Sequence, residues 1–191
     1  MGEVALTPQD VDILLGLPID GHALISDCTL GPGMSWIGLV ASIFGHALAP
    51  TRFNGYRLQL RFFSSITPGR LSDVASAEEV LLHTRCYLVH IIGGVLFTDH
   101  FGGSIHPMYL LFLRDLDMYG DYAWGAAVLA FLYREPCKGC NTDKEEVVGC
   151  LLLLQLWAWE RLPTLAPIRL NVPLHDSRLW DGQLASPYGA W

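Results

Sequence analysis

Three groups of side chains in this sequence have the types and spacing that metal or redox chemistry uses. Cys137 and Cys140 stand as in a zinc knuckle or a dithiol redox pair, because two thiolates at that separation can grip one tetrahedral metal. The second half of such a site is missing: no other CxxC and no HxxxH occurs, and a redox pair belongs at the start of a helix in a βαβ unit. His83, Cys86 and His90 fall at i, i+3 and i+7, one stripe of a helix with Glu79 a turn earlier, and the polar face of an amphipathic helix gives the same spacing. Asp115, Asp117 and Asp121 gather three carboxylates, as phosphodiester chemistry with two metal ions requires. Asp115 and Asp117 are two apart, however, so on a predicted helix they do not face each other, and Asp121 is placed to cap the next helix. A structural role is therefore expected for all three groups. No catalytic residue, metal or cofactor is expected.

A fourth group is basic. Arg52, Arg57, Arg61 and Arg70 lie among Phe53, Tyr56, Phe62 and Phe63 in a stretch without a single acidic residue. Cations interleaved with aromatics are what nucleic-acid grooves use for phosphate contacts and base stacking. Arg57 and Arg61 are i, i+4 neighbours if the segment is helical; a solvated helix face, or arginine stems lying over apolar surface, is the expected reading, ahead of nucleic-acid binding. The chain as a whole carries 12 Lys and Arg against 19 Asp and Glu, a net charge of −7. That balance excludes whole-domain electrostatic attraction to nucleic acid and leaves only a local patch. No phosphate loop and no GxSxG elbow appears.

The elements that must position these residues read as helices. Thr7 caps a short helix with Pro8 in its first turn and Asp10 answering the cap, and Gly16 and Pro18 stop it. A second helix is predicted over Trp36 to Leu48. Ser76 and Glu79 open a long one that closes near Gly93 and Gly94 or at Phe97. A further helix starts at His106-Pro107 and runs through Leu116, and another runs from Tyr122 to Glu135, where Pro136 should end it. Gly125, Ala126, Ala127 and Ala130 permit close helix packing there. Thr142 and Glu145 form a capping box for a last helix, Glu146 to Arg161, apolar nearly all round and so expected at the centre of the core.

The expected fold is thus mainly α, an irregular multi-helix bundle around that central helix. The 191 residues suit one domain, with a helical body over 1–162 and a non-helical tail over 163–191 broken by Pro163, Pro167, Pro173 and Pro187. The tail offers Trp180, Tyr188 and Trp191 as anchors and reads as cut off inside a domain. Charged residues are 16% of the chain, against about 25% for a typical soluble domain. Surface reserved for partners, or packing against chain that is missing, would explain the difference. Five cysteines without a disulfide framework, and no apolar leader in the opening residues, lead to the expectation of reduced thiols in an intracellular protein. The apolar runs Val147 to Trp159 and Tyr122 to Tyr133 fall short of the ~20 residues of a membrane span.

Several blocks in order resemble one family, the plant mobile domain, a transposon-associated family often labelled aminotransferase-like. They are residues 12–21 (DILLGLPIDG), Arg85-Cys86-Tyr87-Leu88, Ile92 to Phe97, and Leu113-Arg114-Asp115. Tyr122 to Ala130, Leu132-Tyr133-Arg134 and Gly149 to Arg161 complete the set. The resemblance implies a mostly helical, non-enzymatic interaction domain of nuclear proteins that help silence transposons and maintain meristem gene expression with a phosphatase-like partner. It also implies a family domain that continues beyond residue 191. The aminotransferase label fails on the residues: a Schiff base needs a lysine. Only Lys138 and Lys144 are present, both in a polar segment with nothing to lower their pKa. The expected contacts to a partner or nucleic acid are Arg52, Arg57, Arg61, Arg70, Trp180, Tyr188 and Trp191. A transposase- or nuclease-related, or nucleic-acid-binding, domain using the Arg52 to Arg70 segment and Asp115, Asp117 and Asp121 is the competing reading.

Overall fold

The structure is a computed structural model and describes residues 5–25, 30, 33, 35–67, 69–98, 103–139, 148–162 and 164–167; side chains are described through 134 in the helix that ends at 139. Trp180, Tyr188, Trp191, Cys28, Cys140, Lys144 and the capping pair Thr142 and Glu145 lie outside the described residues, as do the side chains of Cys137 and Lys138. The chain divides into two compact units, Met1–Trp157 and Ala158–Trp191.

The first unit is mainly α-helical, and its helices begin and end where short-range chemistry demands. α1 (Pro8–Leu15) starts on a reciprocal cap in which Thr7 Oγ1 accepts from the Asp10 N–H while the Asp10 carboxylate accepts from the Thr7 N–H. Each side chain satisfies a backbone donor that the first helical turn leaves unpaired. Gly16, at φ 64°, ends α1 in the left-handed conformation that a Cβ would oppose. α2 (Trp36–Phe44) is capped by Ser35 and stopped by Gly45. α3 (Leu60–Ile66) is short, and α4 (Ala77–Ile91) opens on the Ser76–Glu79 capping box.

α4 passes without a break into a π turn, Ile92–Leu96, closed by the Phe97 N–H donating to Ile92 O at 2.9 Å. This continuous helix, Ala77–Leu96, is long and apolar enough to cross a membrane by length and composition alone. Cys86, Val89, Ile92 and Leu96 on one side of it are buried in the core, and a core helix has the same composition. Gly93 lets it approach the sheet: a Cβ there would stand 2.9 Å from Ile105 Cβ and 3.0 Å from a Leu60 methyl.

Three points correct the sequence-based expectations. The stretch from His106 is a 3-10 helix, Pro107–Leu113, and ends before Asp115. The basic segment is not one helix. It forms a 3-10 turn at Pro50–Arg52, then strands β1 (Phe53–Asn54) and β2 (Arg57–Gln59) before α3, and β2 also pairs with β3 (Ser104–Ile105) in a small antiparallel sheet. Arg57 therefore sits on a strand and Arg61 on α3, so they are not helical neighbours. The alternation of Arg57, Leu58 and Gln59, half-buried, buried and half-buried, is the period-2 signature that the arginine spacing masked.

The third correction concerns the core. α5 (Trp124–Gly139) runs through Pro136, and α6 begins at Leu151 and ends at Arg161. Of α6, Leu153 is buried whereas Leu151 and Leu152 are half exposed, so it is not the central element. That place belongs to Trp124, at 1% exposure, with Phe63, Leu39, Leu58, Ile92 and Leu110. Trp124 Nε1 donates to Tyr119 O at 2.9 Å, which lets the indole be buried without an orphaned donor. α1 packs on α5 at Gly125, where a Cβ would meet Leu17 O at 2.9 Å and Val11 Cγ1 at 3.1 Å. Of the small residues of α5, Gly125 makes the close approach expected of it, whereas Ala127 and Ala130 line a cavity. In the second unit, the Leu162 N–H closes the helix end by donating to Ala158 O at 2.7 Å.

Candidate functional site

Phe97 leaves the π turn, Tyr109 leaves the 3-10 helix and Phe131 lies on α5, and the three rings converge. Phe97 and Tyr109 stack at 4.6 Å between centroids, and Phe131 meets Phe97 edge-on at 5.4 Å. Beside them opens a cavity of about 380 Å³, lined also by Leu24, Met108, Ala127 and Ala130. Three basic side chains line it: Arg57 from β2, His106 from the entrance to the 3-10 helix and Arg134 from α5. No carboxylate is among its described lining residues.

Each basic group is oriented. Arg57 Nε donates to Ser104 Oγ at 3.1 Å across the β2–β3 pair. His106 Nδ1 accepts from the Met108 N–H at 3.3 Å, so in the neutral ring the hydrogen is on Nε2. Burial, and then the Arg57 charge, hold His106 below the ordinary histidine range. The Arg134 guanidinium lies over the Phe131 ring, 5.2 Å from its centre, in a cation–π contact. A second cavity of about 530 Å³ lies between the end of α2 and the start of α4. Of its charged groups, Glu79 accepts from the Ser76 N–H, and Arg85 donates to three carbonyls.

The residues singled out in the sequence are dispersed. Among the described residues no group of three or more His, Cys, Asp or Glu is placed to hold a metal ion. Asp115 Oδ1 accepts from the Asp117 N–H at 3.0 Å in a loop turn, while Asp121 lies in a separate 3-10 turn, and the three are not among any metal-holding group of the described residues. On α4 the Cys86 thiol is buried and hydrogen-bonded to Thr67, and burial pushes its pKa up to about 11. His90 pairs with Ser64 Oγ at 3.0 Å, and His83 stands close enough to Glu79 to help lower its pKa, less than the Ser76 bonds do. Arg61 and Arg70 are exposed and Arg52 is half-buried. Of the basic segment, only Arg57 reaches the cavity. His106, Tyr109 and Arg134 went unrecognised as a group because they are far apart in the sequence and no single periodicity links them.

These observations define the class as a mainly α-helical domain with a small antiparallel sheet. The chain belongs to the plant mobile domain family, whose family model matches residues 1–186. It is 36% identical over 98% of its length to the Arabidopsis thaliana "Serine/threonine-protein phosphatase 7 long form homolog", of which it covers 14%. It is also 32% identical to Arabidopsis "Protein MAIN-LIKE 2" and 30% identical to "Protein MAINTENANCE OF MERISTEMS", over 98% and 97% of this chain and 28% and 38% of theirs. The chain thus spans well under half the length of these curated relatives. No solved structure matches it.

Proposed function

We propose that this chain is a non-enzymatic protein-interaction domain of a longer nuclear protein. In this reading it acts with a phosphatase-like partner in transposon silencing and in meristem and developmental gene expression. The observation that carries the reading is how the domain is distributed. Nearly the whole chain matches a minor part of one relative named a phosphatase homolog and of others named for meristem maintenance. A segment shared by chains with such different names is better read as a module than as the seat of one reaction. The contact residues in this proposal are Arg52, Arg57, Arg61 and Arg70, with Trp180, Tyr188 and Trp191 from the C-terminal segment.

The test is an affinity capture from nuclear extract with the tagged full chain, run with and without nuclease and read by mass spectrometry. A phosphatase-like protein retained after nuclease treatment is the expected result. Loss of every specific partner on nuclease treatment would overturn it and move the function to nucleic acid held by the exposed arginines.

A further inference from the structure

We propose that Asn54 and Gly55 form a self-modifying site, at which the Asn54 side chain passes through a cyclic imide to aspartate and isoaspartate without an enzyme. Asn54 ends β1 and pairs with Arg57 of β2, and Gly55 and Tyr56 make the two-residue turn between them. Gly55 holds φ 60°, which suits glycine to the first central position of such turns. The chain has three asparagines. Asn141 and Asn171 are followed by Thr142 and Val172, whose branched Cβ atoms crowd the amide nitrogen beside them. Only Asn54 is followed by a residue without a Cβ.

Both reacting groups are accessible. Asn54, Gly55 and Tyr56 are exposed, Tyr56 to 88%. Among the described residues none hydrogen-bonds to the Asn54 carboxamide or to the Gly55 N–H, and a Cβ built on Gly55 would meet nothing within 4 Å. To bring the Gly55 nitrogen onto the Asn54 side chain, the backbone must leave its extended ladder. β1 is two residues long and stands at the edge of the sheet, so opening its end breaks a single pair. Short exposed elements of this kind open at little cost.

The chemistry balances with water alone. The Gly55 backbone nitrogen gives its proton to hydroxide and attacks Cγ of Asn54, a reaction favoured because nucleophile and electrophile are neighbours in one chain. The bond from Cγ to the side-chain nitrogen breaks, and ammonia leaves after taking a proton from water, which restores the hydroxide. Water then opens the five-membered imide. Opening at the side-chain carbonyl gives an aspartate on an ordinary backbone. Opening at the main-chain carbonyl gives an isoaspartate, with the backbone routed through the side chain and one carbon longer.

Either product changes the basic segment. Thr51 to Ser72 contains four arginines and no acid; the new carboxylate is its first, and it stands opposite Arg57 in the strand register, where opposite charges attract. The extra carbon of isoaspartate also disturbs the register of a strand only two residues long. Any effect on partner binding rests on the interaction reading above, whereas the chemistry does not.

The experiment ages the folded full chain in mildly alkaline buffer and follows each asparagine by peptide mass spectrometry. Isoaspartate is counted separately with a protein isoaspartyl methyltransferase and labelled S-adenosylmethionine. Conversion at Asn54 is expected to be at least about tenfold faster than at Asn141 or Asn171, a barrier lower by about 1.4 kcal/mol, and to quicken as pH rises. In the folded chain it should run within about tenfold of its rate in the chain unfolded by guanidinium chloride, because the turn opens cheaply. Asn54→Gln should abolish it, since glutamine would have to close a larger ring, and Gly55→Ala should slow it by about tenfold. Asn54 staying intact in the folded chain while the unfolded chain converts would overturn the proposal. Equal rates at the three asparagines would overturn it too. If Gly55→Ala does not fold, Asn54→Gln and the comparison of folded with unfolded chain decide the matter. Partner capture plays no part in this readout, so the proposal can fail without the interaction reading, and the reverse.

Discussion

Arg85 on α4 donates from Nη1 to the carbonyl of Ile43 at the end of α2, at 2.9 Å. The same guanidinium donates from Nε to Leu113 O at 3.2 Å and from Nη2 to Arg114 O at 3.1 Å. The last carbonyls of a helix have no partner inside it, and a planar fork of donors is suited to satisfying several at once. One side chain therefore ties off both α2 and the 3-10 helix. Two blocks that carry the family resemblance, the one beginning at Arg85 and the one beginning at Leu113, meet at this bond.

Replacing Arg85 with methionine keeps the apolar stem and removes all three donors. Stability in urea should fall by about 2–3 kcal/mol, because buried carbonyls lose a charged partner. Lysine, a point donor without the fork, should recover less than half of that. A loss below about 0.5 kcal/mol would mean that the carbonyls find water instead.

Gly125→Ala should cost about 1–3 kcal/mol. The added carbon would stand 2.9 Å from Leu17 O and 3.1 Å from Pro18 O, and backbone cannot swing aside as a side chain can. Gly21→Ala is expected to be at least as harmful, since its Cβ would collide with Asp121 O and its φ is +128°. Gly16→Ala, with open space around it, should cost only the left-handed strain of about 1 kcal/mol. Thermal melting of the three variants tests the ranking.

Cys86 and Cys150 should resist alkylation at pH 8 in the native protein and react once it is unfolded, followed site by site by mass spectrometry. Burial pushes both thiols up, Cys86 to about 11, and the thiolate is the reactive form. The folded state holds the Cys86 proton above the pH at which the unfolded chain releases it. Stability should therefore decline as pH rises from about 9 to 11. Cys86→Ala should lessen that decline.

At the acid end His90 and His106 act in the other direction. Burial lowers both below the ordinary value of 6.5, with Arg57 adding to the effect at His106. The unfolded chain then takes up protons that the folded protein resists, so stability is full above about pH 6.5 and declines as pH falls through the folded values. His90→Gln, which can still bond Ser64, should flatten the acid side of the curve. An unchanged slope in that variant would remove His90 from the account.

How far the sequence alone reaches can be judged at particular residues. The caps at Thr7 and Ser76, the stop at Gly16, the close approach at Gly125 and the family itself were all readable in the chain. Each rests on partners within a few residues, or on a small residue that only close packing requires. The strand at Arg57 was hidden because its pairing partner, Ser104, is remote. α6 looked central because apolarity all round reports the wish to be buried, not what is available to bury it. The cavity was invisible for the same reason: Arg57, Phe97, His106, Ala127 and Arg134 share no local pattern, and only the packing of β2, the π turn and α5 brings them together. Local hydrogen bonds and backbone sterics set the helix boundaries, whereas competition among distant apolar surfaces chose the core and made the site.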